Sequence, residues 1–370
     1  MFQPRFNISP TATRALMTIE ASRQVLDTLP FTVEMLASLR ETARLMTTHY
    51  STQIEGNRLT QEQVKAVVEG KGRFPNRERD EQEVRCYYRA LEYVEQAGQS
   101  PEPLDEHTIQ TIHGLVMHGK PTPTQYRDGQ NVIRDSGSGR IVYLPPEAPD
   151  VAVLMADLVA WINASLAEGL YPVPVIAAVA HYQFATIHPY YDGNGRTARL
   201  LTTLILHRNG YGLRGIYSLE AYYAQNLQAY YEALSVRESH NYYMGRAEAD
   251  FSGFVTYFCQ GMDTAFAKVR LQATQQEAQG KGDQSPLLRN LNARQRLALT
   301  WFQQHRTATT QELASQLGLN PRSVSALCKE WLESGFLELE NPSRKARTYR
   351  LAAMYEALLS GYSILRLLTK

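Results

Sequence analysis

At 370 residues the chain is long enough for two or three domains, and its 44% hydrophobic content suffices for buried cores. The net charge of +1 excludes a global attraction to nucleic acid or membrane, so any such contact has to come from a local patch. Cys86, Cys259 and Cys328 lie too far apart for zinc spacing or a disulfide framework, Met1–Arg5 lacks an apolar signal core, and no uninterrupted apolar run reaches the roughly 18 residues of a membrane helix. The expectation is a soluble cytoplasmic protein.

In chain order, Leu36, Leu39, Ala43 and Met46 recur at spacings of three and four, the signature of one buried helix face, and Gly56 ends that segment. Helices are predicted near 78–97 and 105–118. From 119 to 150 Gly and Pro accumulate, and two β-type runs, Asn131–Arg134 and Arg140–Tyr143, flank Asp135–Gly139. That pattern predicts a hairpin, which Pro145-Pro146 terminates. Further helices are predicted near 150–167, 174–188, 195–208, 218–236 and 248–275, and the composition of 276–288 reads as a linker. Beyond it, Asn292–Gln304, Thr310–Leu317 and Pro321–Glu333 read as three helices. Phe336–Leu339 and Arg347–Leu351 read as strands around Asn341–Lys345, a helix-turn-helix followed by a wing. The expected division is a helical region over 1–100, a core over 101–275, the linker, and a C-terminal module over 289–370.

The informative segment is 188–199. Pro189 must end the preceding helix, which leaves His188 on a helix exit. Asp192-Gly193-Asn194-Gly195 then leads directly into a new helix, and free N–H groups at a glycine-preceded helix start form an anion site. Arg196 and Arg199 stand at the positive end of that helix's dipole, where each costs about 0.3–1 kcal/mol. Their placement calls for a compensating anion, either a bound polyphosphate or a carboxylate. Asp192 is placed to hold Mg²⁺ between phosphate oxygens, and His188 is suited to act as a general base. Glu55, just before the Gly56 stop, faces the negative end of a helix dipole and is equally misplaced. A salt bridge between Glu55 and Arg199 would relieve both, the alternative on the residues alone being that Glu55 is a surface charge. No Walker sequence is present, which argues against a P-loop fold.

Residues 188–199 resemble the Fic-domain motif His-x-Phe-x-Asp/Glu-Gly-Asn-Gly-Arg-x-x-Arg, matching at His188, Asp192, Gly193, Asn194, Gly195, Arg196 and Arg199, with Tyr190 in place of Phe. The resemblance implies a mainly α fold, a Fic-type helical bundle with a β-hairpin flap, to which the C-terminal winged helix-turn-helix is added. It implies transfer of AMP from ATP to a hydroxyl of a target protein, with the chain itself a candidate target and a homodimer as the assembly. His188 would be the base and Asp192 the Mg²⁺ ligand. Gly193, Asn194 and Gly195 would stabilise phosphate charge, Arg196 would grip the β-phosphate and Arg199 the γ-phosphate. Ile141, Val142 and Tyr143 would form the flap strand that registers a target segment, the alternative being an ordinary covering hairpin.

Ser51-Thr52-Gln53-Ile54-Glu55-Gly56 resembles the family's inhibitory motif, in which Ser51 and Glu55 share a helix face and Glu55 occupies Arg199. Tyr222, Tyr223, Tyr230 and Tyr231 are candidates for the nucleotide base, with core packing the alternative. Residues 289–350 hold ten Lys/Arg and five Asp/Glu. Arg322 and Lys329 on the recognition helix, with Arg344 and Lys345 in the wing, could therefore face DNA, the alternative being a protein partner. Two further functional readings stay open: removal of AMP from a modified protein, and a DNA-binding regulator that senses nucleotide.

Overall fold

A helix that is apolar on every side belongs at the centre of a core. The helix α7, Val173–Ile187, is of this kind, with nearly every side chain buried. The structure, a computed structural model, describes residues 2–28, 33–134, 139–236, 240–279, 291–302, 305–343 and 347–360. The chain divides into two compact units. The first comprises residues 1–28 and 43–272, the second residues 29–42 and 273–370.

In the first unit the helices are α1 (Pro10–Thr28), the second part of α2 (Val33–Ile54), α3 (Gln61–Val68), α4 (Glu78–Ala97), α5 (Glu106–His118), α6 (Ala148–Glu168), α7, α8 (Asn194–Arg208), α9 (Glu220–Gln225), α10 (Leu227–Leu234) and most of α11 (Ser252–Gln279). α7 packs on α6 and α8, and α4 packs on α5 and α8. Leu200, Leu201, Leu204 and Ile205 lock α8 into this core. Local chemistry sets the boundaries. Asp105 Oδ1 accepts a 2.8 Å hydrogen bond from Thr108 N at the start of α5, and Gly119 takes the left-handed conformation at its end. α6 is the one helix among the described residues long and apolar enough to cross a membrane, and Val151, Met155, Leu158, Val159 and Ile162 bury one of its faces inside the unit.

Two expectations are corrected here. The segment 218–236 is two helices, because Asn226 (φ −141°) breaks the first and caps the second by accepting from Ala229 N. Residues 276–279, expected in the linker, continue α11; the remainder of that segment lies outside the described residues. The hairpin forms with β1 (Ile133–Arg134) antiparallel to β2 (Ile141–Tyr143), in the register Ile133↔Tyr143 and Arg134↔Ile141. Its tip, 135–138, lies outside the described residues.

In the second unit α12 (Ala293–Phe302), α13 (Thr310–Leu317) and α14 (Pro321–Glu333) pack with an antiparallel sheet of order β3-β5-β4, built from Ala308–Thr309, Thr348–Leu351 and Leu337–Asn341. The helix α15, Ala353–Ser360, follows the last strand. Thr309 and Glu312 form a capping box on α13, and Asn320 caps α14 ahead of Pro321. Leu299, Leu313, Val324, Cys328 and Trp331 centre the core. Gln303 and Gln304, expected in the first of these helices, lie outside the described residues.

Leu204→Ala empties a fully buried site on α8 and is expected to cost about 2–5 kcal/mol, seen as a lower denaturant midpoint at unchanged slope. A loss well under ~1 kcal/mol would contradict this packing.

Candidate active site

Proline cannot extend a helix and pushes its predecessor out of the α region. α7 accordingly ends at Ile187, and His188 sits at its C-cap with φ +52° and ψ +58°, a left-handed conformation a non-glycine residue keeps only under constraint. The constraint is visible. His188 N donates to Phe184 O at 2.9 Å, and the buried Arg127 donates from Nε to His188 O at 3.0 Å and from its main-chain N to Pro189 O at 2.9 Å. His188 Nδ1 lies 3.4 Å from Ala185 O, an arrangement that makes Nδ1 the donor and leaves Nε2 its lone pair. Burial, against the opposing pull of that hydrogen bond, brings the imidazole pKa down to about 4. The ring is therefore neutral at pH 7 and able to accept a proton.

The loop that follows is locked from below. Asn194 exchanges two hydrogen bonds with the main chain of Tyr190, accepting at 3.0 Å and donating at 2.7 Å. His113 stacks on the Tyr190 ring at 3.5 Å between centroids, and its Nε2 lies 2.9 Å from Asp192 O. Gly193 needs its φ of +76°, and a Cβ there would come within 2.7 Å of Met117 Sδ. The N–H groups of Asn194, Gly195 and Arg196, in the first turn of α8, have no intrahelical acceptor and form an anion cradle.

Asp192 is largely exposed, and its Oδ1 accepts from Gly193 N at 2.6 Å and from Arg196 Nη2 at 3.2 Å. Among the described residues no group of three His, Cys, Asp or Glu could hold a metal alone. One exposed carboxylate beside an anion cradle fits Mg²⁺, which takes most of its remaining ligands from phosphates and water.

Both arginines are already paired. Arg199, 2% exposed, donates from Nε to Ser51 Oγ at 2.8 Å and from Nη2 to Ser51 O at 2.9 Å and Glu55 Oε1 at 2.8 Å. Burial works against its charge, but Glu55, with the tyrosines Tyr230 and Tyr87, more than restores it and holds the guanidinium pKa above its ordinary value. Arg196 pairs with Glu83 Oε1 on α4 at 2.6 Å. Glu55 lies against the loop itself. A Cβ on residue 195 would come within 2.4 Å of Glu55 Oε1, so glycine is what admits the carboxylate.

Residues 103–206 match the Fic/DOC family. That segment is similar to a Fic domain. Over 200 residues it is 30% identical to the protein adenylyltransferase Fic of Drosophila willistoni, a match covering 54% of this chain and 39% of that protein. The chain thus spans about two-fifths of the length of that relative. The crystal structure of a Fic family protein from Desulfovibrio desulfuricans G20 aligns with 95% of this chain and 99% of that one, at 25% identity and a TM-score of 0.60. A Fic-domain-containing signaling protein from Bacteroides thetaiotaomicron has the same fold, aligned over 72% of this chain and 98% of its own at 24% identity and a TM-score of 0.61.

His188, Asp192, Gly193, Gly195, Arg196 and Arg199 of the matched segment come together with Ser51 and Glu55, which lie outside it. The Asn194 amide, expected on phosphate, is instead buried and hydrogen-bonded to Tyr190, so within the loop 193–195 the main-chain N–H groups of Asn194 and Gly195 are the donors left for a ligand. Tyr230 is a correction. It is buried, stacked on Tyr223 and hydrogen-bonded through its hydroxyl to His181 Nε2 at 2.9 Å, which leaves no ring face for a base. Tyr231 is 47% exposed, and its hydroxyl donates to Ile54 O at 3.3 Å, at the end of α2, so it stays beside the site. In the flap, Ile141 and Val142 are exposed, whereas the Tyr143 side chain is buried and donates to Thr186 O at 2.7 Å. Val142 O already receives His240 Nδ1 at 2.8 Å, and Leu144 pairs with 240–242. Arg322 and Lys329 are exposed on α14 of the second unit; Arg344 and Lys345 lie outside the described residues.

Sequence reasoning missed His113, Arg127 and Glu83, which hold the loop, His188 and Arg196. No spacing marks them, since each acts across the fold from another helix or loop. The checkable consequence for His188 is its titration. By NMR the imidazole is expected to stay neutral from pH 7 down to about 5 and to protonate near 4. A midpoint near the free value of ~6.5 would contradict the half-buried, Arg127-clamped geometry.

Proposed function

We propose that this protein transfers AMP from ATP to a hydroxyl side chain of a target protein, and that Glu55 restrains the reaction. The observation that carries the reading is a neutral imidazole fixed beside a helix N-terminus whose two arginines are both held by carboxylates, Arg196 by Glu83 and Asp192 and Arg199 by Glu55. Phosphoryl chemistry needs positioning and positive charge more than a protein nucleophile. The target hydroxyl attacks the α-phosphorus and gives its proton to His188 Nε2, and pyrophosphate leaves. The first-turn N–H groups of α8 face the charge that develops on phosphate oxygens, Arg196 takes the β-phosphate and Arg199 the γ-phosphate. Mg²⁺, held by Asp192 and the phosphates, would supply further neutralisation of the polyphosphate.

In the restrained state Glu55 stands where a γ-phosphate oxygen would meet Arg199. Exchange of one anion for the other keeps the buried guanidinium paired throughout. Mass spectrometry after incubation with ATP and Mg²⁺ is expected to find little AMP on the protein as it stands. Glu55→Gly should raise the label by about 10- to 100-fold, the range that removal of a 1.4–2.7 kcal/mol competitor allows, and adding His188→Ala should abolish it. Unchanged labelling in Glu55→Gly would reject the restraint, and persistent labelling without His188 would reject the base.

A second reading is favoured by the partial exposure of Glu55, which leaves its carboxylate able to align a water for removal of AMP. Loss of AMP from a modified substrate, dependent on Glu55, would establish that direction. The C-terminal unit is proposed as a winged helix whose α14 contacts DNA or a partner protein, and salt-dependent binding to duplex DNA distinguishes the two.

A further inference from the structure

The restraint just proposed accounts for one of the two motif arginines, and the geometry around the other has a separate content. Arg196 is buried, and its three guanidinium nitrogens are treated differently. Nη1 pairs with Glu83 Oε1 at 2.6 Å, Nη2 meets the exposed Asp192 at 3.2 Å, and Nε is buried with no hydrogen-bond partner among the described residues. Glu83 is itself mostly buried, and its second oxygen accepts from Asn57 Nδ2 at 2.8 Å. Asn57 is fully committed. Its amide also donates to Asp80 O at 3.0 Å, its Oδ1 accepts from Leu59 N at 3.1 Å, and its main-chain N donates to Thr52 O at 3.1 Å, which places it in the turn that carries Glu55.

A buried ion pair is an expensive way to gain stability. This one is dearer still, because Glu55 nearby carries the same charge as Glu83. A guanidinium is a rigid fork, so fixing Nη1 determines where the remaining donors point. The Glu83 contact is short and shielded, whereas the Asp192 contact is longer and open to solvent. A ligand anion can displace the second without disturbing the first.

We propose that Glu83 is a positioning residue for the nucleotide's β-phosphate. It clamps Arg196 by Nη1, presents Nη2 and Nε to the phosphate, and through Asn57 ties that presentation to the turn bearing Glu55. The inference rests on the functional reading above and names a part of the site outside residues 103–206.

The test uses the full chain carrying Glu55→Gly, with and without Glu83→Gln or Asn57→Ala, and measures binding of ATP, ADP and AMP with Mg²⁺ by calorimetry, alongside thermal melting. Glu83→Gln should weaken ATP and ADP about tenfold and leave AMP, which has no β-phosphate, unchanged. Asn57→Ala, which leaves Glu83 in place but unbraced, should produce the same pattern more weakly. Equal affinities for ATP and ADP in parent and Glu83→Gln, or an equal loss for all three nucleotides, would overturn the positioning role. A Glu55→Gly parent that binds no ATP would overturn the functional reading, and this inference with it.

Discussion

A guanidinium with almost no access to water requires a counter-charge at all times, and Arg199 lives under that requirement. Stripping a partner from a buried ion pair is far more damaging than never having built the pair. The fold meets the demand with Ser51 and Glu55 at the end of α2, using the side chain and carbonyl of the first and the carboxylate of the second. Because the demand is for any well-placed anion, the same guanidinium can hold a carboxylate or a phosphate, but not both. That exclusivity is what the proposed restraint by Glu55 rests on.

The loop after α7 obeys a related logic. His188 keeps a left-handed backbone because Arg127, Pro189 and the end of α7 leave it no alternative. The loop polar groups that could have competed for a ligand are used to brace the loop instead. Asn194 is turned inward on Tyr190, and His113 supports Asp192 from its carbonyl side. What remains outward is a set of main-chain N–H groups and one open carboxylate, with two buried arginines paired to carboxylates behind them. Preorganisation of this kind moves the cost of ordering from the binding event to folding.

The sequence made much of this readable, for particular reasons. Arg196, Arg199 and Glu55 each stood at the wrong end of a helix dipole, and a misplaced charge advertises a missing partner. The choice between a phosphate and a carboxylate was open from sequence, and the structure supplies carboxylates to both arginines. Glu83 was hidden because α4 begins with an acidic run, Glu78, Asp80, Glu81 and Glu83, in which no local signal separates one buried carboxylate from its neighbours. Tyr230 was misread because helical spacing says which residues share a face but not which way the face turns. Asn226 breaks the segment and resets that direction, and its capping preference was the clue available in sequence. Arg127 and His113 act on main-chain atoms 61 and 79 positions away, a separation at which pattern carries no information.

The most direct test of the whole account is a crystal structure of the Glu55→Gly chain with ATP and Mg²⁺. The account places the triphosphate on the first turn of α8, its γ-phosphate on Arg199, its α-phosphorus within reach of His188 Nε2, and the cation on Asp192. A nucleotide bound elsewhere, or one with its phosphates turned away from Arg196 and Arg199, would contradict it.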